Sequence, residues 1–122
     1  MNRIGIFILQ VAVALVFIWF GIDKLFHPDA WIYYLQALPS WMRALMYFDD
    51  KTVMLISAIV EILLGFWVLI PWKNYIPAFA IVLYFIPVLV SVGFDTVGVR
   101  DLGLMISSLA LAFLLLPKKA EL

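Results

Sequence analysis

Few residues in this chain carry chemistry, and Glu61 is the most telling of them. It is the single charge within residues 53–70, VMLISAIVEILLGFWVLI. A carboxylate inside an apolar run long enough to span a bilayer needs a cation, a proton or a ligand to offset its desolvation. Ser57 and Gly65 lie four residues to either side and share its helical face. Lys24, Arg100 and Asp101 stand at the edges of other apolar runs, and Tyr84 stands inside another. This set predicts an ionic and hydrogen-bonded cluster of Glu61 with Arg100 or Lys24, with Tyr84 nearby. If neither cation reaches it, Glu61 is expected to be protonated, because burial disfavours the charged form. Two readings of the cluster stand side by side. A satisfied pair can simply fix helix register. Intramembrane charge can also mark a site for a proton, a quinone or another ligand.

The other polar residues have plainer explanations. His27, the sole histidine, sits in a loop just before Pro28 and reads as interfacial rather than catalytic. Asp49 and Asp50 precede an apolar run and suit helix capping better than cation binding. The five methionines are scattered without metal-binding spacing, and no cysteine is present. Disulfides, dithiol chemistry, thiolate metal sites and covalent haem are therefore excluded. No catalytic residue or metal site is predicted, and the chain is not expected to catalyse on its own.

The elements that hold these residues are membrane-like. Of 122 residues, 67% are hydrophobic and 13% charged, against about 45–50% and about 25% in soluble domains. Zero formal net charge leaves no basic field for nucleic acid. Apolar runs predict spans over residues 4–24, 53–70, 75–94 and 97–116. The fold expected is all-α, a single four-span membrane bundle with a short interfacial segment over residues 28–48. Gln10, Ala14, Phe17, Gly21 and Lys24 form one small and polar stripe on the first span. The 28–48 segment is rich in Trp and Tyr, as at a membrane boundary, and fits one or two helices lying along the bilayer. Pro28 and Asp29 suit a first turn, and Ser40 suits the cap of a second. The turn at 71–74 predicts that the second and third spans are antiparallel neighbours.

On the third span, Ala80, Tyr84, Pro87 and Ser91 share a face leading to Asp95, and Pro87 is expected to kink it near Leu83. The fourth span is instructive. Its uncharged part, residues 102–116, covers only ~22 Å at 1.5 Å per residue. A hydrocarbon core is about 30 Å thick. The helix therefore must begin near Val97, which draws Arg100 and Asp101 to the membrane edge. Its polar face is Asp101, Met105, Ser108 and Ala112, and Pro117, Lys118 and Lys119 close it. Four spans place both termini on one side. The Lys/Arg tally ties between the two sides; discounting Lys24 and Arg100 as internally paired puts the termini in the cytoplasm.

Three of these motifs together resemble the DoxX family. The first span ends Gly-x-x-Lys (Gly21, Lys24), with Phe26 and Pro28 following. The second has a central glutamate before Leu-Leu-Gly (Glu61, Leu63, Leu64, Gly65). The fourth opens Arg-Asp-x-Gly-Leu (Arg100, Asp101, Gly103, Leu104). The likeness covers nearly the whole chain and implies a four-helix membrane protein of a prokaryotic plasma (inner) membrane. Some members are small subunits of quinone-linked oxidoreductases, including thiosulfate-oxidising ones. Others associate with thiol and superoxide defence enzymes, and distant eukaryotic relatives assist receptor assembly. The lack of cysteine argues against direct thiol shuttling. Carried over residue by residue, the likeness marks Lys24, Glu61, Arg100 and Asp101.

The function expected is that of a small membrane subunit of a quinone-linked or respiratory oxidoreductase, anchoring or stabilising partners. Its surroundings would be the lipid bilayer and other membrane subunits or further copies of itself. No covalent cofactor is expected, and a quinone or lipid is the candidate ligand. The alternatives are a non-catalytic assembly scaffold and, ranked last, a proton or small-solute carrier working through Glu61.

Overall fold

The computed structural model describes residues 3–92 and 96–117. Six helices follow one another: α1 (Arg3–Phe26), α2 (Pro28–Gln36), α3 (Ser40–Arg43), α4 (Asp50–Leu69), α5 (Tyr75–Val92) and α6 (Thr96–Leu115). No strand occurs among the described residues. Helices α1, α4 and, from Gly98, α6 are long and apolar enough to cross a membrane. The apolar stretch of α5, Tyr75–Val90, is shorter. Outward faces are apolar too: Leu15 and Trp19 on α1, Leu63 and Phe66 on α4, Leu83 on α5 and Phe113 on α6 are all exposed. In water such continuous apolar faces are an aggregation hazard; in hydrocarbon they are the expected surface.

The segment between α1 and α4 forms two short helices. Pro28 opens α2 and Asp29 lies in its first turn, where a missing N–H costs nothing and a negative charge meets the helix dipole. Ser40 does not cap α3. It is the first helical residue, Pro39 takes the cap position, and no side-chain cap bond forms. Asp49 does cap α4, accepting from the Thr52 backbone N–H at 3.3 Å. Hydrogen bonds from Thr52 hold the Asp49 carboxyl below its ordinary value.

Packing divides the helices into two close pairs, α1 with α4 and α5 with α6, joined by lighter contacts of α4 with α5 and α1 with α6. The expected partnership of α4 with α5 is therefore the weaker one. A short turn forces two helices to be sequence neighbours, but backbone approach is decided by small residues. On α1 and α4 these residues interlock. Gly21 lies against the Ala58 carbonyl and Ile62, and Gly65 lies against the Ala14 carbonyl and Ile18. The register is antiparallel, with Gln10 donating to the Val68 carbonyl at 2.7 Å. That carbonyl belongs to the last turn of α4 and lacks an intrahelical partner; Asn74 reaches it as well, at 3.3 Å.

The buried stripe of α1 is Gln10, Val13, Ala14, Phe17, Gly21 and Lys24, and that of α4 is Met54, Ala58, Glu61, Gly65 and Val68. On α5 the core face lies beside the face that carries Tyr84. Ala78, Ile81 and Phe85 are buried in the core, while Ala80, Tyr84 and Pro87 are only half-buried. The helix continues unbroken through Pro87. Asp95, at the end of the expected face, lies outside the described residues, as do Lys118 and Lys119. On α6, Asp101, Ser108, Leu111 and Ala112 are buried, and Ser108 donates to the Ala78 carbonyl at 2.9 Å, tying α6 to α5.

Candidate functional site

Across the α1–α4 seam their two buried charges meet. Lys24 is 7% exposed and Glu61 1%, and Lys24 Nζ forms an ion pair with Glu61 Oε2. Removing two such charges from water is costly, so their remaining donors and acceptors must be met locally. Two hydroxyls do this. Tyr84 donates to Glu61 Oε2, and so does Ser57 at 3.2 Å; the two hydroxyls also contact each other. Lys24 Nζ has three acceptors: Glu61, Tyr84 Oη at 2.9 Å and Ser57 Oγ at 3.5 Å. One residue from α1, two from α4 and one from α5 thus close a polar knot. The Nζ also lies 5.1 Å from the Trp31 ring centroid and 5.4 Å from that of Tyr84, distances at which ring quadrupoles attract a cation.

The knot borders a cavity of about 540 Å³, a size suited to a small organic ligand. Its walls mix aliphatic side chains with six aromatic rings: Phe17 and Phe20 from α1, Trp31 and Tyr34 from α2, Tyr84 and Phe85 from α5. Phe17 meets Tyr84 and Phe85 edge-on, with centroids 5.3 and 5.5 Å apart. Helix α2 forms one side and is fastened at both ends. Trp31 donates its indole N–H to Asp23 at 2.8 Å. Arg43 donates to the Leu35 carbonyl at 2.8 Å and to Asp50 at 3.0 Å.

Arg100 and Asp101 border the same cavity but do not join the knot. Arg100 is not the partner of Glu61. Its guanidinium contacts Asp101 at 3.3 and 3.4 Å and lies 5.4 Å from the Phe20 ring. Depth along a helix says which residues are level, not which way they face. Neighbours on a helix are about 100° apart, and here Asp101 takes the inward position while the Arg100 side chain is 54% exposed. His27 is exposed, with Nδ1 3.3 Å from Asp23 Oδ1. No group of three or more potential metal ligands occurs among the described residues.

The arrangement thus gathers Lys24, Glu61 and Tyr84 in one knot and sets Arg100 and Asp101 on the same cavity. Sequence reasoning did not assign Ser57, Phe20, Trp31 or Asp23 to the site. Ser57 carries a usable signal, being one turn before Glu61; Trp31 reads from sequence as part of a membrane belt, and Phe20 and Asp23 carry no distinguishing signal. Compared with family models, curated proteins and solved structures, the chain matches none.

Proposed function

We propose that this protein is a four-span, DoxX-like subunit of a quinone-linked oxidoreductase in a prokaryotic inner membrane, with both termini cytoplasmic. Its cavity holds the quinone ring, and electrons come from a partner subunit. The observation that carries this reading is the aromatic-walled cavity of about 540 Å³ with a charged, hydrogen-bonded floor, in a chain with three helices of membrane-crossing length. Flat aromatic walls suit a ring, and few polar groups at one end suit its oxygens. The motif resemblance around Lys24, Glu61 and Arg100 supports the same reading.

The test is a titration of the purified protein in nanodiscs with short-chain quinones, following Trp31 fluorescence against a Trp31→Phe control. Saturable quenching that the control lacks is expected; non-saturable quenching equal in both proteins refutes ring binding. Native mass spectrometry from the source membrane tests the second half of the proposal, since a redox subunit must co-purify.

A second reading is an assembly scaffold with Lys24–Glu61 as a register pin. The saturation of Lys24 by three acceptors favours it. It predicts that deleting the gene disrupts a membrane complex while the purified protein binds no quinone.

A further inference from the structure

Glu61 is the most buried charged residue among the described residues, and its two oxygens are used unequally. Lys24, Ser57 and Tyr84 all donate to Oε2. Oε1 receives no hydrogen bond among the described residues. A carboxylate has about four lone-pair sites, and a buried charged acceptor left unmet is costly. The residues around it cannot easily help. Lys24 has spent its three N–H donors, and the single protons of Ser57 and Tyr84 are engaged within the knot. Yet Glu61 lines the cavity. The unmet group there is an acceptor, so the complementary ligand brings a donor.

We infer that the cavity selects the reduced, quinol form of its ligand, whose ring hydroxyl donates to Glu61 Oε1 between the Phe17, Phe20 and Trp31 walls. This rests on the cavity being a quinone-class site, and it names which redox form that site holds. A quinone carries only acceptors and leaves Oε1 unmet. A quinol of the same shape satisfies it with a charge-assisted hydrogen bond. One such bond corresponds to a preference of roughly tenfold or more.

The experiment is anaerobic equilibrium dialysis of the purified protein in nanodiscs against duroquinol and duroquinone, which differ only in the two hydroxyl protons and the ring electrons. Duroquinol is expected to bind about tenfold more tightly. Glu61→Gln adds a readout that a merely structural role would not move. Its amide oxygen can take over the three donors, leaving the amide NH2 toward the Oε1 position, so the preference is expected to reverse toward duroquinone. Phe20→Leu alters a wall of the cavity and no hydrogen bond of the knot, so it is expected to weaken both forms alike and keep the duroquinol preference, which covers the case where Glu61→Gln does not fold; loss of the preference in that variant overturns the inference. Equal binding of both forms, or tighter duroquinone in the unaltered protein, overturns the inference while leaving a quinone-class site. Binding of neither form refutes the proposed function itself, and the inference with it.

Discussion

The α1–α4 seam offers the sharpest test of the packing, because its glycines predict unequal penalties from one chemical change. A methyl group added at Gly21 would stand 2.6 Å from Ile62 Cγ1 and 2.8 Å from the Ala58 carbonyl oxygen. The second contact is backbone, so relief requires the helices to part. At Gly65 the added methyl would stand 2.6 Å from Ile18 Cγ1 but 3.1 Å from the Ala14 carbonyl, and an isoleucine side chain can turn away. At Gly103 it would meet nothing within 4 Å. Overpacking costs about 1–3 kcal/mol, while Gly→Ala inside a helix returns about 1 kcal/mol. Gly21→Ala should therefore lose ~1–2 kcal/mol, Gly65→Ala should be near neutral, and Gly103→Ala should gain up to ~1 kcal/mol. Unfolding titrations in mixed micelles, followed by circular dichroism, measure all three. Adding Ile18→Ala removes the side chain that crowds Gly65 and should erase any residual crowding penalty there, without helping Gly21→Ala. If Gly65→Ala costs as much as Gly21→Ala, the backbone contact at Gly21 is not what limits the approach.

Lys24→Met should destabilise by about 3–5 kcal/mol in the same assay by stranding Glu61, and Lys24→Met with Glu61→Met should recover most of that loss. Ser108→Ala removes a buried donor to the Ala78 carbonyl and should cost about 0.6 kcal/mol, the usual worth of an interhelical hydrogen bond in a membrane protein. Because the folded Asp49 carboxyl lies below its ordinary 3.8, its cap stabilises the start of α4 above that value. The contribution fades as pH falls through the lower folded value. The protection factors of the Thr52 and Val53 amides, corrected for the pH dependence of intrinsic exchange, should fall on acidification in the wild type, while in Asp49→Ala they should already be low and insensitive to this group.

The sequence made the α1 and α4 stripes legible because polar and small residues interrupt otherwise uniform apolar runs there. Gln10, Gly21, Lys24 and Glu61 could hardly face lipid, and none does. On α5 the same logic found the site but not the core, since Tyr84 does reach Glu61 and Lys24. That helix is apolar on every side, so its few polar residues drew the inferred face toward Tyr84 and Ser91. The core took the neighbouring face of Ala78, Ile81 and Phe85. The fastening of α2 by Asp23–Trp31 and Arg43–Asp50 was equally hidden. Each pair joins two different helices across a turn, so no single helical period reveals it.

The choice of Lys24 over Arg100 as the partner of Glu61 follows from helix geometry that depth alone cannot supply. Gly21 faces the Ala58 carbonyl across the seam. Lys24 lies three residues beyond it on α1, and Glu61 three residues beyond it on α4. Since the two helices run antiparallel, their backbones at these positions lie ~4.5 Å above and below the crossing. Side chains on a helix lean toward its N-terminus. Lys24 therefore leans back toward Gly21, and Glu61 leans back toward Ala58, so the two converge on the same level from opposite sides. The small residues set both the separation of the helices and the meeting point of the charges. Arg100 is aimed by no such contact at Gly103, three residues along its helix, where an added methyl meets open space. The Gly21→Ala variant should therefore weaken the Lys24–Glu61 pair as well as the seam. A double-mutant cycle between Lys24 and Glu61 in that background should give a coupling energy below that of the wild type; an undiminished coupling would separate the ion pair from the glycine contact.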